Sequence, residues 1–217
     1  MVVFESRESA GKELASRLQG YKKKENVVVF AIPRGGVPVA YEISRELGIP
    51  FFVYVTRKLP IPFEPEAGFG AVAEDGTIFL NDEILSHIQI SQKEIDETVK
   101  RVTKEIKRRV FVYRENKPLP KIKDATVIIV DDGLATGWTV AAAIRALRKK
   151  KPKKIIVASP CSSASAYEML KKIADDVVCI EVSSWQYFAV ASFYKDFNDM
   201  TDEEVVKYIK KPLKKIP

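Results

Sequence analysis

The sequence predicts an α/β protein built on a doubly wound parallel sheet, and three observations lead there. Short β-branched apolar runs recur along the chain: 27-VVVFAI-32, 51-FFVYV-55, 126-TVIIV-130, 155-IIVAS-159 and 177-VVCIEV-182. Such near-continuous apolar runs are strands buried on both faces of a parallel sheet. Helical patterns separate most of them, which is the rhythm of βαβ units. The 217 residues, 46% hydrophobic and 30% charged, suffice for one real core with an elaboration.

The elements follow in order. The first strand leads into a helix over Val37–Leu47, stopped by Gly48 as C-cap with Pro50 beyond. After the strand at 51–55, residues 57–124 are too many for one crossover and read as an insertion. Within it, Gly68–Ala73 and Thr77–Leu80 flank Glu74-Asp75-Gly76 and predict a hairpin with an Asp-Gly turn. Ile95, Val99, Val102, Ile106, Val110 and Tyr113 then recur at helical steps. They predict a long amphipathic helix from near Ser91, with Glu94 placed for a capping box, ending before Pro118. The strand at 126–130 is followed by an Ala-rich helix over Thr139–Lys149. The strand at 155–159 is followed by a helix over Ser163–Ala174. Residues 183–217 close the chain as a small C-terminal hood and helix. No repeat or low-complexity linker interrupts it, so 1–217 reads as a single domain.

Composition narrows the chemistry. Lys+Arg 36 against Asp+Glu 29 gives +7, which invites an anionic partner. The runs 22-KKK-24, 148-RKKKPKK-154 and 210-KKPLKK-215 hold much of that excess. They flank element ends and carry no interleaved aromatics, so they predict solvated surface rather than a nucleic-acid footprint. The longest apolar run, Val27–Ile32, is far too short to span a membrane. Met1–Lys12 holds no apolar signal-peptide core, so a cytoplasmic location is expected. Two Cys and one His exclude a four-ligand Cys/His zinc site and a disulfide framework. His87 falls in a polar helix start and reads as exposed, and Cys161 and Cys179 read as buried reduced thiols. The chemistry therefore rests on carboxylates, backbone amides, hydroxyls and basic groups.

The stretch 127-VIIVDDGLATGWTV-140 is the most informative. A buried strand runs into two carboxylates, Asp131 and Asp132, then into a short Gly/Ala/Thr loop and a helix. The loop amides, backed by the helix N-terminus, make an anion site. Thr136 and Thr139 add hydroxyl donors, while the two carboxylates suit neutral hydroxyls or a metal. A ribose 5-phosphate fits both ends at once. The string is not a Walker motif, because no Gly-x-x-x-x-Gly-Lys is present.

VIIVDDGLATGWT resembles the phosphoribosyl pyrophosphate signature of the type I phosphoribosyltransferases. The stretch 32-IPRGGVPVA-40 is similar to that family's pyrophosphate-binding loop, and 56-TRKLPIP-62 to the basic start of its mobile catalytic loop. The segments 66-EAGFGAVAEDG-76, 80-LND-82 and 193-FYKDFNDMTDEEV-205, with the opening 4-FESRESAGKELASRL-18, resemble a bacterial and archaeal subgroup whose substrate is not settled. The resemblance implies that family's Rossmann-like fold and transfer of ribose 5-phosphate from phosphoribosyl pyrophosphate to a nitrogenous base. It implies a Mg2+ cofactor and favours a homodimer. Asp131 and Asp132 would hold the ribose hydroxyls, directly or through magnesium, and act with Arg57 and Lys58 in catalysis. Gly133, Ala135, Thr136, Gly137, Trp138 and Thr139 would hold the 5-phosphate. Arg34, Gly35 and Gly36 would hold the pyrophosphate. Trp185, Tyr187 and Phe188 would stack the base, with Glu66 and Asp75 as candidate acid or base groups. Two departures stand out: Ala135 occupies a place often acidic in the family, and Trp138 one usually small. A non-catalytic binding protein that regulates through the same site, acting on RNA or DNA through the lysine runs, is the alternative reading. A third is a pyrophosphokinase or hydrolase acting on a phosphorylated ribose, though no adenine-nucleotide site is evident.

Overall fold

The computed structural model describes residues 3–185 and 187–213, with the side chains of residues 65 and 66 left out. The candidate Glu66 side chain and Lys214 and Lys215 of the basic tail therefore lie outside the described residues. The chain opens with α1 (Arg7–Arg17), whose N-cap Ser6 forms a capping box with Ser9. Strand β1 (Val27–Ala31) runs into α2 (Gly36–Leu47), which ends at Gly48 in the left-handed conformation, as the sequence predicts. Strand β2 (Phe51–Val53) is followed by a three-stranded antiparallel unit: β3 (Thr56–Ile61), β4 (Glu64–Ala73) and β5 (Ile78–Leu80). Next come a short α3 (Asp82–His87) and the long α4 (Gln92–Arg114). Ser91 and Glu94 cap α4 reciprocally, where the sequence placed its start. The remainder is β6 (Thr126–Val130), α5 (Trp138–Arg148), β7 (Lys154–Ser163), α6 (Ala164–Lys171), β8 (Asp176–Ser183) and α7 (Asp202–Lys210).

The main sheet has the order β2-β1-β6-β7-β8, and every pair is parallel. Successive residues of its inner strands point to opposite faces, as the two-residue strand period requires. Val29, Ala31, Ile128, Val130, Ile156 and Ala158 pack with α1, α2, α4 and α7. Val28, Phe30, Val127, Ile129, Ile155 and Val157 pack with α5 and α6. Burial on both faces is what the apolar runs encode, and it places the carboxyl ends of the strands at one edge.

Three local differences from the sequence reading matter. Residues 56–61 form a strand rather than a loop, pairing with β4 from Thr56↔Ala73 to Ile61↔Glu64. Arg57 and Lys58 thus sit on a paired strand. Strand β7 continues past Ser159 to Ser163, because Ser162 pairs with Leu134 on one side and Val182 on the other. His87 ends α3 rather than starting a helix, and its ring Nδ1 lies 2.7 Å from the Glu83 carbonyl. Both cysteines are free; Cys161 is buried, whereas Cys179 is only half-buried.

Candidate active site

The loops after β1 and β6, which carry Arg34–Gly36 and Asp131–Thr139, meet where those strands end side by side. Asp131 and Asp132 follow Val130 directly, so the strand delivers both carboxylates to the sheet edge. Burial, followed by the adjacent Asp132 charge, holds the Asp131 carboxyl well above the usual carboxylate range. Asp131 Oδ1 accepts a hydrogen bond from the Asp132 amide at 2.9 Å.

The loop after them is fixed through its carbonyls. Ser163 donates from its amide to the Leu134 carbonyl at 2.9 Å and from its hydroxyl to the Ala135 carbonyl at 2.7 Å. The Leu134 amide donates to the Cys161 carbonyl at 2.9 Å. With these groups turned toward β7, the amides of Ala135, Thr136, Gly137, Trp138 and Thr139 donate to no protein acceptor among the described residues. They cluster at the N-terminus of α5, where a bound anion is favoured. Gly137 is the N-cap with φ of 72°, a left-handed conformation that glycine adopts without strain. Trp138 is buried in the core beneath α5. Its side chain thus turns away from the loop, and only its amide faces the anion site. That resolves the departure noted in the sequence.

The first loop meets the second closely. A β-carbon on Gly35 would overlap the Asp132 carboxylate. One on Gly36 would lie 2.6 Å from the Val130 carbonyl oxygen. The loop that begins at the cis Pro33–Arg34 peptide therefore touches the carboxylate pair, and only glycine permits it.

A cleft of about 410 Å3 opens beside these loops, lined by Pro33, Thr56, Arg57, Lys58, Pro60, Arg109 and Thr139. Its charge is lopsided. Neither Arg34 nor Arg57 forms an ion pair among the described residues. Burial first, then the neighbouring Arg109 and Arg34, lowers the Arg57 pKa; Glu105 partly opposes this. Arg109 is buried and holds Glu105 at 2.9 Å. Thr56 is buried with its hydroxyl unpartnered. The Arg57 guanidinium and the orphan Thr56 hydroxyl on this cleft, with the free loop amides next to it, suit a polyanion.

Sequence reasoning did not single out Thr56, Arg109, Arg7 or Tyr194. Arg7 Nε donates to Asp132 Oδ2 at 2.7 Å, and the Tyr194 hydroxyl donates to the Asp132 carbonyl at 2.5 Å. Helical periodicity marks Arg109 only as a residue of α4. No local signal ties residues this distant to the Asp pair.

The hood is placed in part. Val190 packs on Gly133 so tightly that a β-carbon there would overlap it. Phe188 stacks on Phe193 with ring centroids 5.1 Å apart. Trp185 and Tyr187 are 55% and 87% exposed, so neither is in a formed stack. Asp75 is a turn residue that accepts the Thr77 amide at 2.9 Å. Among the described residues, no three His, Cys, Asp or Glu side chains converge as a metal site. No helix among them is long and apolar enough to cross a membrane.

Comparison with known proteins decides the family. The phosphoribosyl transferase domain model matches residues 5–64 and 76–196. The chain belongs to that family. The unmatched residues, 65–75, cover most of β4. Two curated Mycobacterium tuberculosis relatives, from strains CDC 1551 and H37Rv, are each 36% identical over 209 residues, or 96% of this chain. Both carry the provisional name phosphoribosyl transferase, and this chain spans 47% of their length. A crystal structure from Thermus thermophilus is 35% identical, covering 96% of this chain and 98% of its own, with TM-score 0.77. An Aquifex aeolicus structure at 14% identity and TM-score 0.51, covering 81% and 74%, shares the fold. The phosphoribosyl transferase domain thus has the five-stranded parallel sheet flanked by helices that its sequence predicts.

Proposed function

We propose that this domain transfers ribose 5-phosphate from phosphoribosyl pyrophosphate to a ring nitrogen of a nitrogenous base. One observation carries the reading most directly: the Gly35-Gly36 turn lies against the Asp131-Asp132 pair, beside unpaired Arg34 and Arg57. Two anion sites with a hydroxyl-binding pair between them match a ribose bearing phosphate at one end and diphosphate at the other.

The step breaks the bond from ribose C1 to the diphosphate oxygen and forms one from C1 to the base nitrogen. Pyrophosphate leaves with the electron pair, and the proton on the attacking nitrogen passes to solvent or a base. Positive charge grows on the ribose, so the Asp131 and Asp132 carboxylates at its hydroxyls stabilise the transition state. The amides of Ala135–Thr139 and the Thr136 and Thr139 hydroxyls fix the 5-phosphate. Arg34, the Gly35 and Gly36 amides, Arg57 and Lys58 neutralise the departing pyrophosphate. The base would lie under the hood formed by Trp185, Tyr187 and Phe188.

The donor set suits magnesium: two adjacent carboxylates supply few ligands, and this ion takes one or two carboxylates together with substrate oxygens. Asp131 and Asp132 would hold it, and it would offset charge on the diphosphate.

The test is a pyrophosphate-release screen across purine, pyrimidine and pyridine bases with magnesium, alongside calorimetric titration of phosphoribosyl pyrophosphate. Turnover with one base class, and loss of binding in Asp131→Asn/Asp132→Asn with an unchanged melting temperature, is the expected result. Full retained affinity in that double variant would refute the site. Tight binding without turnover on any base would favour the regulatory alternative.

A further inference from the structure

We propose that Arg7, the first residue of α1, is a positioning residue that sets the Asp132 carboxylate for the ribose. The proposal rests on the phosphoribosyl transfer reading. Arg7 is only 9% exposed, an unusual place for a guanidinium unless its donors are used. Three contacts fix it. Nε donates to Asp132 Oδ2 at 2.7 Å, Nη1 donates to the Asn198 carbonyl at 2.9 Å, and the guanidinium lies 4.0 Å over the Phe197 ring. With Oδ2 taken by Arg7, Oδ1 is the oxygen left to face a ribose hydroxyl.

The arrangement does two jobs. It fixes the carboxylate plane, because the rigid planar fork is itself clamped by a carbonyl and a ring. It also places a positive charge beside one member of an adjacent carboxylate pair whose like charges repel. The backbone of Asp132 is tethered from the same side, its carbonyl accepting from the Tyr194 hydroxyl at 2.5 Å. Asp131 forms no ion pair among the described residues, and its side-chain contact is with Asp132 itself. The two carboxylates are thus inequivalent: Asp132 is held by the helix-and-hood layer, Asp131 by burial at the strand end.

A lysine cannot reproduce this. One ammonium on a flexible stem lacks the fork that serves Asp132 and Asn198 together while stacking on Phe197.

The experiment compares three probes by calorimetry: phosphoribosyl pyrophosphate, ribose 5-phosphate, and pyrophosphate alone. Wild type is set against Arg7→Gln, Arg7→Lys and Tyr208→Phe. The last removes the hydrogen bond from Tyr208 to Glu8, loosening α1 without touching Asp132. Arg7→Gln should weaken both ribose ligands at least about tenfold, the scale of one charge-assisted hydrogen bond, and leave pyrophosphate affinity unchanged. Arg7→Lys should recover only part of the loss, and Tyr208→Phe should match wild type for all three probes. Three outcomes would overturn the role: unchanged ribose affinity in Arg7→Gln, full affinity in Arg7→Lys, or equal losses in Arg7→Gln and Tyr208→Phe. If wild type binds no ribose ligand, the phosphoribosyl reading fails and this proposal falls with it. Failure confined to the Arg7 variants leaves that reading standing.

Discussion

At Gly35 a single methyl group decides whether two loops can coexist. A β-carbon there overlaps the Asp132 carboxylate, which is pinned by Arg7 and cannot swing freely aside. Gly35→Ala should therefore cost at least about tenfold in phosphoribosyl pyrophosphate affinity and about 1–3 kcal/mol of stability. Calorimetric titration with a parallel melting curve reads both. Gly137 behaves differently. Its φ of 72° puts Gly137→Ala in a strained backbone, but the nearest atom a β-carbon meets is the flexible end of Met169, at 2.9 Å. About 1–2 kcal/mol of stability should be lost, seen in urea unfolding. At this scale much of the site was legible. The string from Asp131 to Thr139 marks a carboxylate pair beside an anion loop, because strand, carboxylates, small loop and helix start are contiguous. Arg7 was not legible, because only the folded chain brings residues 125 positions apart together. The burial of Trp138 was not legible for the same reason: it is set by the core that forms between α5 and the sheet, not by its neighbours in sequence.

Among the elements, β3 was hidden by its composition. The stretch Thr56–Ile61 carries Arg57, Lys58 and Pro60 and lacks clean alternation. It pairs nonetheless, with register shifts on either side of Pro60. An edge position and an irregular ladder tolerate a proline. The hairpin unit is locked by Glu74, which accepts from the Val55 amide at 2.9 Å and pairs with Arg114 at 2.7 Å, both side chains about a tenth exposed. Removing one partner strands the other in the interior, so Glu74→Ala should destabilise by about 3–5 kcal/mol, measured by chemical unfolding. On α4, Glu105 binds both Arg108 and Arg109. The hydrogen bond from Arg108 leads, and the carboxyl falls from 4.5 to about 2, with burial opposing. A depressed pKa contributes stability above the unfolded value of 4.5 and loses it as pH falls toward 2. Glu105→Gln should thus cost about 1 kcal/mol at neutral pH, given its partial exposure, and little near pH 2. Melting curves across that range test the sign. The long helix itself was legible to its capping box, since a 23-residue amphipathic repeat leaves little room for another reading.

For the whole molecule, the parallel sheet was legible because burial on both faces writes itself as uninterrupted apolar runs. The hood was expected at residues 183–217, but its contacts were not legible, because residues 188–198 pack against the opening segment. At 100 times its dissociation constant, phosphoribosyl pyrophosphate with magnesium should stabilise the fold by about 2.7 kcal/mol, read as a raised melting temperature. No shift at millimolar ligand would count heavily against the proposed site. The opening segment and the hood are zipped together: the Phe4 amide donates to the Phe193 carbonyl at 2.8 Å, and the Lys195 amide to the Phe4 carbonyl at 2.8 Å. That clasp sets an order of events during synthesis. The sheet strands are all made once residue 183 has left the ribosome, yet Tyr194, which bonds the Asp132 carbonyl, and Asn198, whose carbonyl clamps Arg7, have not been joined. A nascent chain therefore completes its sheet before Asp132 is fully held, and the proposed site waits for residues 194–198.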